Sequence, residues 1–195
     1  MILWTIQPEE VYTNIIEKGL YRCDIDRSIM GSWRKQYDWL VLQMKKRIGL
    51  PPEGVSYPVW ARHTWEGARK KPDLRRERWC NGFKGDRIAC IEIDIPDDQV
   101  LLSDFDTWSI ILVDGLYSMT EEEDKVIEAE YSELSEDEKW KYKSQNWENV
   151  FDIEPFKNEW MIKGESIQAT FWEIKAEQIR KVRFFTSAST LGKCK

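Results

Sequence analysis

The pattern of apolar and polar residues predicts strands in four stretches of the chain. Apolar and polar side chains alternate over residues 167–174 and again over residues 88–95. Because successive side chains of a strand point to opposite faces of a sheet, this alternation is typical of half-buried strands. Residues 2–6 and 182–185 are shorter apolar runs, and we predict that they form strands near the two ends of the chain.

Apolar residues at helical spacing predict two helices in the first quarter of the chain. The first begins at Pro8, whose fixed φ suits a first helical turn, and ends at Gly19, a residue favoured at helix C-termini. The second covers residues 33–48, with apolar side chains every three or four positions and basic residues in the last turn. Residues 56–60 are a further predicted strand, which Pro58 places near a sheet edge because proline cannot donate to the strand ladder.

The segment of residues 117–150 is acidic and carries two patterns that start helices. Thr120 and Ser135 are each followed three positions later by a glutamate, which is the spacing of a capping box. We therefore predict an acidic helical insertion over residues 117–150 within a single domain of residues 1–195. Short strands combined with these helices favour an α+β fold with a mixed, mostly antiparallel sheet over a regular βαβ series.

Composition is that of a globular protein, with two segments of opposite charge. The 195 residues are 42% hydrophobic and 33% charged, enough for a buried core and a well-solvated surface. The net charge of −6 conceals nine Lys and Arg against four acids in residues 61–87, here called the basic segment. Residues 117–149 contain eleven acids against four Lys. The separation of the two charged segments is a better guide to possible binding partners than the net charge is.

Several protein classes are disfavoured by the sequence. No apolar run approaches the ~18 residues of a membrane-spanning helix, and the start MILWTIQPEE lacks the regions of a secretory signal. Four cysteines without a CxxC spacing and a single histidine, His63, argue against a zinc site, and we expect no metal. These features predict a cytoplasmic protein with free thiols and no membrane contact.

Eleven tryptophans are many for a chain of this length. Two interpretations stay open: large side chains that fill the core, or stacking surfaces for a ligand that carries a ring. The glycine-rich phosphate-binding patterns GxGxxG and GxxxxGK[ST] are both absent from the sequence.

Two resemblances to known families add to this picture. Almost the full chain resembles a bacterial family of unknown function, through LWTIQPEEVY, LLSDFDTW and QATFWEI. The opening LWTIQPEEVYTNIIEKGL and the later EWMIKG also resemble the ADP-ribosyltransferase-like fold, especially its DNA-modifying branch. In that fold a strand ends in a nicotinamide-contacting residue ahead of a helix, and a catalytic Glu begins the pattern E-x-x-x-x-G.

The second resemblance implies an NAD site and assigns residues to it. Thr5 stands where the DNA-modifying branch usually has His, Gln7 lies two residues further on, and Tyr57 or Trp60 falls on the second strand motif. Glu159 is the implied catalytic acid, because a carboxylate beside the ribose stabilises the oxocarbenium-like state of transfer from NAD. NAD is therefore the expected cofactor, and an ADP-ribosyltransferase-like sheet is the expected form of the α+β fold.

Each of these residues has a structural alternative. Glu159 can be an ordinary exposed residue ahead of a strand, and three other acids compete for its role: Glu154, Glu165 and Glu173. Thr5 or Gln7 can instead cap the first helix. Tyr57 and Trp60 can simply pack in the core.

The basic segment supplies candidate phosphate or nucleic-acid contacts. Arginine forks bind phosphates in bidentate fashion, and bases stack on interleaved aromatic rings. The candidate residues are Arg62, Arg75, Arg76 and Arg78. The alternative is that this segment docks on the chain's own acidic region. Asp104 and Asp106 form a further acidic pair, which favours a turn over a metal site because no other ligands lie nearby in the sequence.

The sequence leads to one functional hypothesis and one rival. The first is an ADP-ribosyltransferase-like protein, active or degenerate, that binds NAD or a related nucleotide and acts on a protein or nucleic-acid target. The rival is a non-catalytic interaction protein that binds a macromolecule through the basic segment or the acidic helices of residues 117–149. The first requires Glu159, the region of Thr5 and Gln7, and Tyr57 or Trp60 to converge on one cleft.

Overall fold

The computed structural model describes residues 1–23 and 31–190 of the protein. The strands of this part are β1 (Ile2–Pro8), β2 (Leu20–Arg22), β3 (Val59–Thr64), β4 (Arg87–Asp94), β5 (Leu101–Asp104), β6 (Phe156–Lys157), β7 (Ile162–Lys163), β8 (Ile167–Phe171), β9 (Glu173–Lys175) and β10 (Ile179–Thr186). The α-helices are α1 (Glu9–Lys18), α2 (Arg34–Ile48), α3 (Leu74–Glu77), α4 (Phe105–Leu112), α5 (Glu121–Ser132) and α6 (Glu136–Asn146).

Six strands form the central sheet in the order β10-β4-β1-β3-β8-β5. The neighbouring strands pair in antiparallel fashion throughout this described sheet. Two smaller antiparallel sheets pair β2 with β9 and β6 with β7. The prediction of an α+β fold with a mostly antiparallel sheet is therefore confirmed.

The central sheet separates two buried clusters. The first core lies on the α1 side and includes Leu3, Ile15 and Ile91. Helix α1 ends as predicted at Gly19, which adopts a φ of 80° and donates its N–H to the Ile15 carbonyl at 2.9 Å. The second core lies on the opposite face, where α2, α4 and the 3-10 turn Trp147–Phe151 pack. Four tryptophans are buried there, so core packing accounts for a large share of them: Trp39, Trp108, Trp147 and Trp172.

Two strand predictions need correction. Residues 56–60 were expected to form an edge strand, but β3 begins at Val59 and lies between β1 and β8 in the sheet. Pro58 precedes the strand and removes no ladder donor from it, which is why the interior position is tolerated. The single strand predicted over residues 167–174 is interrupted at Trp172, which is buried in the second core and donates from Nε1 to the Gly49 carbonyl at 3.1 Å.

The acidic segment forms the two predicted helices, α5 and α6. The Thr120 side chain caps α5 by accepting the Glu123 N–H at 3.1 Å, and Ser135 forms a capping box at the start of α6. Helix α5 buries Ile127, whereas the turn that follows α6 contributes fully buried residues to the second core. The acidic segment is therefore attached to the body mainly through the residues that follow its second helix.

Asp104 joins α4 to the β6–β7 hairpin. Its carboxylate accepts the N–H and hydroxyl of Thr107, both at 2.8 Å, and the N–H of Gly164 at 2.8 Å. Gly164 has a φ of 79°, and a Cβ there would meet the Pro155 backbone at 2.6 Å, so only glycine fits. The turn expected at Asp104 and Asp106 is instead the N-terminus of helix α4, which Asp104 caps.

Three further findings concern the described residues: their helices, their possible metal ligands and their cysteines. None of the helices there has the length and apolar character needed to cross a bilayer. No group of three or more His, Cys, Asp or Glu side chains in residues 1–23 and 31–190 is arranged to hold a metal ion. No disulfide joins Cys23, Cys80 and Cys90 within the described residues, and Cys194 lies outside those residues.

Candidate functional site

A cleft of about 660 Å³ lies where strands β1 and β3 separate. Strand β1 pairs with β4 at seven positions but, within the described chain, with β3 only through Trp4 and Arg62. Beyond that pair, the edge of β1 at Thr5, Ile6 and Gln7 lines the cleft. The open sheet therefore presents both strand edge and side chains to the cleft.

Aromatic side chains form the walls of the cleft. Trp60 on β3 and Trp108 on α4 have ring centroids 5.2 Å apart, and Trp65 and Phe105 have centroids 5.7 Å apart. All four line the cleft together with Trp4. Trp60, Trp65 and Phe105 are at least partly exposed and provide stacking surfaces that suit a planar ligand, whereas Trp4 and Trp108 are buried.

One row of residues crosses the floor of the cleft from strand to strand. Trp4 is opposite Arg62, Arg62 is opposite Gln168, and Gln168 is opposite Ser103. Because opposite residues of neighbouring strands share a face, all four lie on the side of the second core. Trp4, Arg62 and Gln168 line the cleft, so the floor is polar where the walls are aromatic.

Arg62 is held by a carboxylate at the side of the cleft. Its guanidinium donates two hydrogen bonds to Glu77 on α3, the one from Nη2 to Oε2 measuring 3.1 Å. Asn81 donates to the same carboxylate at 2.9 Å, and the Trp65 ring centre lies 4.4 Å from the guanidinium carbon. Because Glu77 is only 7% exposed, each charge of this pair depends on the other for compensation.

A second group of charges lies at the mouth of the cleft. Glu66 accepts hydrogen bonds from Lys70 at 2.9 Å and from Arg76 at 3.0 Å, and both cations lower the pKa of its carboxyl. A side pocket of about 210 Å³ adjoins the cleft here. Its charged lining comprises four cations, Arg62, Lys70, Lys71 and Arg76, and three acids, Glu66, Asp73 and Glu77. The pocket therefore has a small net positive charge.

Five of the nine predicted site residues line the cleft: Thr5, Gln7, Trp60, Arg62 and Arg76. Thr5 is buried within β1, and its hydroxyl accepts a hydrogen bond from Gln7 Nε2 at 2.9 Å. The N-cap position of α1 is occupied by Pro8, so the alternative that Thr5 or Gln7 caps this helix is wrong. The structure thus brings together residues from β1, β3 and the basic segment.

The other four predicted residues lie outside the cleft lining. Glu159 is exposed in the turn between β6 and β7, where Asn158 Oδ1 accepts the Trp160 N–H at 2.9 Å. Tyr57 is buried in the second core and donates its hydroxyl hydrogen to Asp38 at 2.6 Å. Arg75 and Arg78 are exposed. Of the alternatives Tyr57 and Trp60, only Trp60 joins the region of Thr5 and Gln7 in the described lining of the cleft. Glu159 does not join them, because it lies at a hairpin turn.

The alternative acids also lie outside the described lining of the cleft. Glu173 forms an ion pair with Arg22 at 3.0 Å, as expected for a structural charge, and Glu165 lies 3.7 Å from Lys157 Nζ. Glu154 is exposed. The catalytic role assigned to Glu159 remains a prediction that concerns the hairpin rather than the cleft.

Sequence analysis missed several residues that build the site. Phe105 and Trp108 come from α4, which was not recognised as a helix. Glu77 has a visible signal, since it is an acid within a run of arginines. Gln168 has another, because it is a polar residue within a strand that is buried at every position. Neither signal shows from sequence alone that the two residues share a site.

The basic segment is held by acids near it in space. Arg75 pairs with Asp73 at 2.8 Å and Arg87 with Glu9 at 3.2 Å, in addition to the pairs formed by Arg62 and Arg76. In the described part of the chain, none of its ion pairs reaches α5 or α6. The described ion pairs of the basic segment therefore give no support to the alternative that it docks on the acidic region.

These features define an α+β protein whose antiparallel sheet opens into a cleft with aromatic walls and a polar floor. The chain belongs to the family described as a domain of unknown function (DUF3841), whose model matches residues 2–180. The resemblance to a family of unknown function is thereby confirmed. No curated protein and no solved structure matches the chain.

Proposed function

We propose that the cleft binds NAD or a related nucleotide, with a planar ring between the aromatic walls and the phosphates toward the cationic side pocket. The observation that carries the proposal is the arrangement of Thr5, Gln7 and Trp60. These residues were selected through a resemblance to the ADP-ribosyltransferase-like fold, and they line one cleft with Arg62 and Arg76. The proposal includes that fold as the type of sheet from which the cleft is built.

The cleft has the physical properties that such a ligand requires. The volume of about 660 Å³ lies within the ~300–1,000 Å³ of small-molecule sites, and the lining combines rings with a few polar groups. Arg76 is 71% exposed on its side chain and lies at the mouth, where it can reach a phosphate without leaving a buried partner. Lys71 lines the adjoining side pocket and adds a further cation to those of Arg62, Lys70 and Arg76.

We further propose that ligand binding is retained while glycosidic-bond chemistry is degenerate. Stabilising an oxocarbenium-like state requires a carboxylate whose charge faces the reacting carbon. The carboxylates in the described lining of the cleft are Glu66 and Glu77, and both are held by arginine side chains. Their charges are therefore already directed to protein cations.

Calorimetric titration and thermal melts with NAD test this function. NAD should raise the melting temperature, because a ligand that binds only the folded state stabilises it by mass action. Arg76→Ala should weaken binding about tenfold, the scale of one charge-assisted hydrogen bond. Arg75→Ala is the matched control, since its side chain is 91% exposed outside the cleft and should leave affinity unchanged. Absence of any effect at millimolar NAD on folded protein would refute the proposal.

Exposed aromatic and cationic side chains favour one other candidate, in which the basic segment binds single-stranded nucleic acid. Trp79 and Phe83 are both exposed, and the Arg78 guanidinium lies 5.6 Å from the Trp79 ring centre. Oligonucleotide affinity would then fall steeply with salt, and replacing Arg75, Arg76 and Arg78 together by Ala would flatten that dependence. Binding that is absent at low salt, or insensitive to these changes, would eliminate this candidate.

A further inference from the structure

Three buried polar atoms in or next to the residues that line the cleft have no hydrogen-bond partner within the described chain. They are Trp60 Nε1, Gln168 Nε2 and Ser103 Oγ. Gln168 is only 9% exposed and is opposite Ser103 in the neighbouring strand, while Trp60 lies two residues before Arg62, the residue opposite Gln168 on the other side. The unpaired atoms therefore belong to one part of the sheet, on the face that lines the cleft.

Such a grouping calls for a physical explanation. Buried N–H groups are nearly always paired, because an unpaired one has lost its hydrogen bonds to water and gained nothing in return. Two of the three atoms belong to residues that line the cleft, Trp60 and Gln168. A ligand that brings hydrogen-bond acceptors to the floor would remove the penalty, whereas an apolar ligand would leave it in place.

The surrounding charges restrict the chemistry of those acceptors. Trp60 Nε1 and Gln168 Nε2 are neutral donors, and the neighbouring Arg62 charge is compensated by Glu77. The floor therefore suits uncharged acceptors, such as a carbonyl oxygen or an unprotonated ring nitrogen, better than a phosphate. The aromatic walls add the requirement that these acceptors lie on the edge of a planar ring.

We propose that Trp60 and Gln168 bind the acceptor edge of a planar heteroaromatic ring, and that Gln168 determines which ring is accepted. This inference rests on the proposed nucleotide function and goes beyond it by naming the group that is recognised. Two rings of NAD carry such an edge, the purine base and the nicotinamide carboxamide. A site with correctly placed donors discriminates strongly against a ring that lacks the matching acceptors, because the buried donors then stay unpaired.

The test uses nitrogen-15 NMR of the tryptophan indole N–H groups in the full chain. Trp60→Phe identifies the Trp60 signal, and the protein is titrated with NAD, ADP-ribose and nicotinamide mononucleotide. ADP-ribose carries only the purine, and the mononucleotide only the nicotinamide. We expect NAD and one of the two fragments to shift the Trp60 indole signal, which identifies the ring that is bound at the floor.

Gln168→Leu supplies the affinity measurement. It should weaken binding of NAD and of that fragment about tenfold, and Gln168→Glu, which keeps the shape but removes the donor, should do the same. The melting temperature of ligand-free Gln168→Leu should equal or exceed that of the wild type, because the substitution removes an unpaired buried polar group. If Gln168→Leu were too unstable to titrate, Gln168→Glu and the Trp60 signal would still decide the matter.

The two proposals fail in different ways. The inference would be overturned if NAD bound in an Arg76-dependent way but neither shifted the Trp60 signal nor bound more weakly to the Gln168 variants. The proposed function would still stand after that result. That result would mean that water alone satisfies the floor. If none of the three ligands binds the folded wild-type protein, the proposed function fails and the inference fails with it.

Discussion

The two sides of strand β1 differ sharply, although they belong to the same seven residues. Toward β4, the strand is paired along its length, and the residues opposite it include the fully buried Ile91 and Ile93. Toward β3, it is paired at one described position, and the sheet opens into the cleft with aromatic walls and a polar floor. One strand therefore contributes to both a closed core and an open site, and the difference between them is strand pairing rather than composition.

This comparison teaches which substitutions should affect stability and which should affect ligand binding. On the β4 side, the buried atoms are apolar and the loss of any of them leaves a cavity. On the β3 side, the cleft lining also includes the charged pair Arg62 and Glu77, whose members come from different elements and depend on each other. Changes on the β4 side should therefore act through packing, and changes on the β3 side through charge, protonation and ligands.

The largest effect is expected on the core side, from Ile91→Ala. Ile91 is fully buried opposite Thr5, and removing most of its side chain should lower the free energy of unfolding by about 4 kcal/mol. For a chain of this size, the melting temperature should fall by about 12 °C. Chemical denaturation measures the loss, and NAD affinity of the remaining folded protein should be unchanged. A loss below ~1 kcal/mol would show that this side is not the tightly packed one.

The next largest effect is expected from Glu77→Ala on the cleft side. The substitution leaves the Arg62 charge without its partner and should cost about 3 kcal/mol, moderated because the Arg62 side chain is 29% exposed. Replacing both residues, Arg62→Met with Glu77→Leu, should restore most of that stability, since an apolar pair has no charge to compensate. Asn81→Ala is the control and should cost only about 1 kcal/mol, the scale of a single hydrogen bond. A stable single variant would contradict the role given to this ion pair.

A smaller effect is expected on the β3 side of β1, where the free energy of unfolding should depend on pH through His63. Burial, and secondarily the Arg69 charge, lower the pKa of His63 from 6.5 to about 4. Between pH 6.5 and about 4, the His63 ring of the unfolded chain binds a proton while the ring of the folded protein stays neutral. The free energy of unfolding is therefore unaffected by His63 above pH 6.5 and decreases as the pH falls from 6.5 toward 4. After allowance for solvent screening, the loss at pH 5 should be on the order of 1 kcal/mol.

His63→Gln isolates that contribution. The free energy of unfolding of the wild type and of His63→Gln is measured at about pH 7.5 and at pH 5. Both proteins contain the same carboxylates, so the contribution of those groups cancels when the two pH-dependent changes are compared. The wild type should lose more stability than the variant over this interval. Equal losses would mean that the His63 ring titrates normally and that this end of β3 is more open to water than the structure implies.

The smallest effect is expected from Glu159→Gln. The residue is exposed at the β6–β7 turn, so its stability and NAD affinity should change by less than ~0.5 kcal/mol. If Glu159 is catalytic, in contrast, the substitution should lower activity strongly. Activity is measured as NAD cleavage over long incubations. A fall in cleavage of about two orders of magnitude or more would restore Glu159 as an electrostatic stabiliser and would contradict the degenerate chemistry proposed above.

The sequence by itself determined the local features of this protein. Gly19 ends α1 because glycine tolerates a positive φ. The Thr120 side chain caps α5 and a capping box at Ser135 starts α6, because side chains satisfy the first N–H groups of each helix. The alternation of Ile91 and Ile93 with Glu92 and Asp94 located β4, and there the isoleucines are buried while the acids are partly exposed. Membership in the family also followed from sequence, since the match covers residues 2–180.

Only the tertiary structure decided how the site is assembled. The pairing of β3 between β1 and β8, the contact of Glu77 with Arg62, and the place of Gln168 on the cleft floor join residues that lie far apart in the chain. Glu159 is the converse case: its motif was visible in the sequence, but a hairpin turn decided where the residue lies. The physical reason is that propensity and capping act over a few residues, whereas strand order and the convergence of buried polar groups depend on packing between distant segments.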